Sequence, residues 1–356
     1  MAKKTYIICN AHLDPIWQWE WEEGAAEALS TFRIAADFCE QYEDYIFCHN
    51  EVLLYDWIEQ FDPPLFARIQ DLVKRGKWHI MGGWHVQPDC NMPSGESFVR
   101  QMLTGRKYFL EKFGKAPHVA INFDSFGHSR GLVQIMAKSG YKGYVHMRPQ
   151  PQHLTMPAND YTWVGYDGSK IVGMRPHGWY STPKGNAALA IKGTVNQCAD
   201  GDINMRLWGI GNHGGGPSKK DLDDLIILKK ELKEKGVDLV HSTPEEYLAE
   251  TIKHHDLPEV HHSLWCWAVG CYTSQIRVKQ KHRAAENAYY LTEIMCSHAA
   301  NEGLMEYPFK ELSDAMYDIM TVEFHDVLPG SSIQPAEEMG IRMMDHAIEI
   351  LTRLKA

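Results

Sequence analysis

Short apolar runs at 5–9, 45–48, 78–81, 119–122, 143–146, 205–209 and 238–240 alternate with stretches of helical periodicity over the first 250 residues. Each run is too short for a helix and ends in Gly, Pro or polar residues, the mark of a buried strand. Parallel neighbours cannot be joined by hairpins, so strand, helix, strand repeated this way demands crossovers and a mainly parallel sheet. The prediction is an α/β unit, either a seven-stranded parallel sheet or a (β/α)7-like barrel. One stretch departs from the pattern. Tyr161-Thr162-Trp163-Val164, a turn at Asp167-Gly168, and Lys170-Ile171-Val172 read as an antiparallel hairpin inserted after the fifth strand.

From about Trp265 the strand signals stop and helix follows helix. One is predicted from after Ser274 to about Ala300, a second from near Pro308 with Phe309, Leu312, Met316 and Ile319 on one face, and a third from Pro335 to the end. The expected organisation is an α/β catalytic domain over 1–258 and a three-helix bundle over 259–356. The last helix carries Ile341, Met344, Ile348, Leu351 and Leu354 and shows no capping residue, so truncation before further domains is expected.

Composition narrows the partners. A formal net charge of −10, without a run of Lys and Arg, argues against nucleic acid or an anionic membrane. The apolar start, Tyr6-Ile7-Ile8, is too short for a signal peptide or a spanning helix, which predicts a cytoplasmic protein. Eight cysteines without a C-x-x-C pair fit reduced thiols.

Ligands of α/β sheets bind at the carboxyl ends of the strands, so polar residues there are candidates for chemical roles. Asp124 follows the fourth strand in Asn122-Phe123-Asp124-Ser125-Phe126-Gly127-His128, either as a carboxylate in a cleft or as a cap of the next helix. His12-Leu13-Asp14 follows the first strand, and an extended H-x-D puts both side chains on one side, spaced to share a cation or simply to satisfy each other. Trp17 is a core ring or a platform for a sugar face. The polar loop 84–97 shapes a substrate site or, through Ser94 and Ser97, starts a helix. Arg148 after the fifth strand pairs with Asp124, binds a hydroxyl, or lies on the surface. The glycine loop 209–218 lacks the spacing of a phosphate or dinucleotide motif and instead displays Asn212 and His213. His325-Asp326 offers a metal ligand from the helical region, or a histidine that favours a helix C-terminus.

Taken together, His12-x-Asp14-x-x-Trp17, Pro88-Asp89-Cys90-Asn91 through Glu96-Ser97, Asp124-Ser125-Phe126-Gly127-His128 and Phe324-His325-Asp326 resemble glycoside hydrolase family 38, the zinc-dependent α-mannosidases, in order over nearly the whole chain. The resemblance implies one Zn2+ held by His12, Asp14, Asp124 and His325, with Asp124 also the nucleophile of a retaining reaction. It further implies that Arg148 flanks the nucleophile, that Trp17 and Phe126 wall the sugar pocket, and that Asn212 and Asp326 contact substrate. The substrate would be a mannose-containing small molecule or oligosaccharide, and the enzyme a homo-oligomer. The acid/base departs from the family pattern, since Asn212-His213 stands where an aspartate is expected. Asparagine donates no useful proton, whereas histidine with an ordinary pKa of about 6.5 can, so His213 is the expected acid/base, with Asp160, Asp200 and Asp202 as alternatives. Two other classes compete: a metal-dependent deacetylase or amidohydrolase, which also sets H-x-D on a strand end, and a mannose-binding fragment with weak catalysis.

Overall fold

The computed structural model describes residues 3–199, 203–211, 215–254, 256–265 and 267–356. The chain begins with β1 (Lys3–Asn10), α1 (Trp21–Gln41), β2 (Phe47–His49), α2 (Val52–Phe61), α3 (Pro63–Lys74) and β3 (Trp78–Ile80). It continues through α4 (Gly95–Phe113), β4 (Val119–Asn122), α5 (Gly131–Lys138), β5 (Gly143–His146), and the hairpin β6 (Asp160–Val164) and β7 (Lys170–Met174). Then come α6 (Ala187–Gln197), β8 (Ile203–Trp208), α7 (Lys219–Glu234), β9 (Val237–His241), α8 (Pro244–His254) and β10 (Glu259–Val260). Three helices close the chain: α9 (Ile276–Asn301), α10 (Phe309–Val322) and α11 (Gln334–Lys355).

The strand ladders correct the expectation of a single seven-stranded sheet or barrel. Among the described residues they form two five-stranded sheets, one ordered β3-β2-β1-β8 with β9 also on β1, the other β10-β6-β7-β5-β4. All pairs are parallel except β6 with β7. The antiparallel hairpin lies after β5 as expected and extends the second sheet, β7 pairing in parallel with β5 and the short β10 adding to β6. Periodicity finds strands but not their neighbours, so the sequence carries no sign of the division.

Alternation along β1 shows how the two sheets share a core. Tyr6 and Ile8 point into a buried layer with Ile121 and Val145 of the second sheet, while Ile7 and Cys9 face α1 and its neighbours. In α1, Ala28, Phe32, Ala35 and Cys39 recur at helical spacing and are buried. That outer core continues without a break into α9, α10 and α11 through Val278, Leu312, Ile319 and Leu351. The polar end of α10 is thereby fixed against the strand ends. Among the described residues no helix is long and apolar enough to cross a membrane.

Candidate active site

Parallel strands deliver their carboxyl ends to one rim, and the local chemistry follows from what comes next in sequence. His12 and Asp14 follow β1, Gln87 lies in the loop after β3, Asp124 follows β4 and Arg148 follows β5. His325 and Asp326 come from the turn after α10, held to the β3 loop by Asp89 N donating to Glu323 O (2.8 Å) and by a Pro88–Phe324 bridge.

Ligand atoms of His12, Asp124 and His325 lie within 4.8 Å of one another, as do those of Asp14, His325 and Asp326. His12 Nε2 stands 3.0 Å from Asp14 Oδ1, and His325 Nε2 stands 3.6 Å from the same oxygen. These three atoms are buried, yet none has a hydrogen bond of acceptable geometry. Buried polar atoms without partners cost free energy unless something joins them. A divalent cation is what the set fits: two imidazole nitrogens and carboxylates converge on one point, the mixture of donors that zinc accepts. The outer atoms are already engaged. His325 donates from Nδ1 to the Gln87 carbonyl (2.8 Å), which leaves Nε2 unprotonated and facing the cluster when a metal is held there.

Electrostatics points the same way. Burial opposes charge on His325, but the close approach of Asp14 and the charges of Asp326 and Asp124 outweigh it and raise the pKa to about 10. Burial likewise opposes charge on His12, and Asp14 and Asp124 raise it nonetheless. For Asp14 burial pushes upward, but His12 and His325 hold it far below the usual carboxylate range. Burial pushes Asp326 up to about 7. An acid-rich pocket thus recruits protons onto its histidines, and a cation would take their place.

Gln87 ties these pieces together. Its side-chain nitrogen touches His12 Nδ1 (3.2 Å) and donates to Glu51 Oε1 (2.5 Å), and its side-chain oxygen accepts from Phe123 N (2.8 Å), next to Asp124. Burial raises Glu51 to about 7.

Around Asp124, Arg148 Nε donates to Oδ1, and the guanidinium lies between two indoles, 3.8 Å from the Trp267 ring centre and 5.0 Å from that of Trp179. Tyr180 stacks on Phe123 with centroids 6.1 Å apart and lies 4.7 Å from the His12 ring. Burial first, then Asp124 and Asp14, push its phenol well above the ordinary value.

The structure brings together His12, Asp14, Asp124, Arg148, His325 and Asp326. Phe126 sits at the edge of the group, 6.3 Å from the His325 ring and 5.9 Å from Trp267. Trp17 packs edge-on against Trp19 at 5.6 Å, and Trp19 in turn donates to Asp14 O (2.9 Å). Asn212, His213, Asp200 and Asp202 lie outside the described residues. Asp160 hydrogen-bonds to Tyr247 on α8, with none of the cluster among its contacts in the described residues. In the loop 84–97, Ser94 caps α4 by accepting from Ser97 N (3.2 Å), as expected of a helix start, and Asp89 accepts from Tyr272 (2.6 Å). Sequence reasoning missed Gln87, Trp179, Tyr180 and Trp267. Only Gln87 had a signal, its place in a loop already singled out.

Comparison with known proteins supplies the family. Residues 2–269 match the glycosyl hydrolases family 38 N-terminal domain, and 266–355 match the alpha mannosidase middle domain. Alpha-mannosidase G of Dictyostelium discoideum is 29% identical over 346 residues, covering 94% of this chain and 31% of that protein. Alpha-mannosidase 2C1 of Homo sapiens is 29% identical over 341 residues, covering 92% of this chain and 32% of that protein. The chain thus spans about a third of the length of these relatives. The crystal structure of an alpha-mannosidase from Enterococcus faecalis V583 shares the fold, with a TM-score of 0.84 at 21% identity over 99% of this chain and 42% of that one. With three quarters of its length matched to the N-terminal domain and its motifs converging where that fold gathers its strand ends, this chain belongs to glycosyl hydrolase family 38.

Proposed function

We propose that the chain carries the centre of a retaining, zinc-dependent α-mannosidase acting on terminal α-mannosides. The observation that carries this reading is the convergence of His12 Nε2, Asp14 Oδ1 and His325 Nε2, all buried and unpartnered, beside Asp124. His12, Asp14, Asp124 and His325 would hold the metal. Zinc bound there supplies a Lewis acid for the O2 and O3 hydroxyls that a mannose ring presents.

The chain's own residues do the rest. Arg148 takes Oδ1 of Asp124 and aims the carboxylate. Asp124 attacks the anomeric carbon as the bond to the leaving-group oxygen breaks, and a general acid delivers a proton to that oxygen. Water then attacks the anomeric carbon from the face the leaving group vacated, giving up a proton to the same group as the bond to Asp124 breaks, and the two inversions give net retention. His213 is the proposed acid/base. Phe126, Trp17 and the indoles beside Arg148 would shape the sugar's apolar walls. Family membership favours this reading over a deacetylase, in which metal-bound water and not Asp124 would be the nucleophile.

The test uses the purified chain. About one zinc per chain is expected by metal analysis, with hydrolysis of an activated aryl α-mannoside that a chelator abolishes and zinc restores. A 2-fluoro mannosyl reagent should label Asp124, located by mass spectrometry. Full activity without metal, or an adduct on a different residue, would overturn the assignment.

A further inference from the structure

Beneath Arg148 lies a buried network that the mechanism above does not use. His128 Nε2 is 2.8 Å from the Arg148 carbonyl oxygen, and His146 Nδ1 is 3.0 Å from the same atom. Each ring's other nitrogen meets a tyrosine: Tyr144 Oη lies 2.7 Å from His128 Nδ1, and Tyr161 Oη lies 2.7 Å from His146 Nε2. All four side chains are buried. A carbonyl only accepts, so the ring nitrogen facing it must carry the proton, and the opposite nitrogen must accept from the phenol. His128 is therefore the Nε2–H tautomer and His146 the Nδ1–H tautomer. One carbonyl has two lone pairs, and both are taken.

We propose that His128 and His146 are positioning residues for the nucleophile: two neutral imidazoles of opposite tautomer fix the Arg148 main chain and so aim its guanidinium at Asp124. The inference rests on the reading of Asp124 as nucleophile. Neighbouring contacts complete the clamp, with Arg148 N donating to Phe123 O (3.3 Å) and Arg175 Nη1 donating to Leu154 O (3.2 Å) in the segment that follows. Burial keeps both rings neutral: it lowers His128 to about 4, against the pull of the Arg148 carbonyl and with help from His325. It lowers His146 further, aided by His128 and Arg175. Holding the Arg148 N–H and carbonyl fixes the main-chain position from which the guanidinium reaches Asp124 before substrate arrives. A network that merely filled the core would need the same hydrogen bonds, but losing one would lower stability without lowering kcat at constant KM.

The tautomers make crossed substitutions decisive. An asparagine amide stands where Nδ1 does, and a glutamine amide stands where Nε2 does. His146→Asn and His128→Gln should therefore keep turnover of an activated aryl α-mannoside within about threefold, whereas His146→Gln and His128→Asn should lower kcat on the order of 100-fold at nearly constant KM. Long-range 1H–15N spectra of the zinc-loaded chain with labelled histidine should report Nε2–H for His128 and Nδ1–H for His146. Either ring doubly protonated, the reverse tautomers, or equal kcat across all four variants would overturn the proposal. If the parent chain turns over no mannoside, that failure belongs to the mannosidase reading. Slow exchange of the Arg148 Nε–H, kept in the matched pair and lost in the crossed pair, then decides this one, and equal exchange in all four sinks it.

Discussion

Among the described residues two regions gather histidine and carboxylate closely enough to enclose an ion, one at the strand ends and one between α9, α10 and α4. In the second, His282 Nε2 pairs with Glu323 Oε1 (2.9 Å), and Glu323 Oε2 accepts from the Gln101 amide (2.9 Å). Glu286 accepts from Ser94 N (2.9 Å) and from Arg283 (2.5 Å). Its side chains could also enclose an ion by distance alone. The difference is saturation. Every carboxylate oxygen of the helical group has a donor, whereas the first group leaves His12 Nε2, Asp14 Oδ1 and His325 Nε2 with none. Residue type does not distinguish a cation site from a structural network; unmet valences converging on one point do.

The largest effect that would sharpen this contrast is on stability. His282→Leu leaves Glu323 Oε1 buried without its hydrogen-bond partner, so unfolding in denaturant should show a loss of about 3 kcal/mol. Zinc content should stay unchanged. A variant that lost its zinc while remaining folded would break the distinction between the two groups.

Gln87→Ala tests the other side. It removes the acceptor for Phe123 N and the contact with His12 Nδ1 while leaving the four proposed ligands unchanged. Competition with a chelator should then reveal zinc affinity weakened about 10- to 100-fold. An unchanged affinity would mean the ligands need no outer support.

The smallest step is the one taken with each unit of pH. In the metal-free protein the folded-state pKa of His325 is raised from 6.5 to about 10, so its stabilising contribution is complete below pH 6.5 and is lost as pH rises through about 10. Zinc must displace that proton. Apparent zinc affinity should therefore rise by about tenfold per pH unit between pH 7 and 9, and the gain in Tm on adding zinc should grow over the same range. A flat profile would show that His325 carries no proton for the metal to replace.

Much of this architecture is legible in the sequence. Most strands follow from short apolar runs, the β6–β7 hairpin from alternation around Asp167-Gly168, and α10 and α11 from their 3.6-residue stripes. His12-x-Asp14, Asp124 and His325 stand out because each follows a regular element with an abrupt polar residue. Gln87 does not, since one glutamine has no spacing to read and its importance lies in what three other segments present to it. Trp179 and Trp267 are ordinary aromatics in one dimension, and only the fold sets Arg148 between them.

What the chain carries in one dimension is periodicity and the kind of residue that ends each element, because both depend on near neighbours alone. Tertiary structure decided which sheet each strand joined, which carboxylates found donors, and which ring nitrogens were left facing one another. Those outcomes depend on segments far apart in sequence approaching within a few ångströms, and hydrogen-bond saturation exists only once they have.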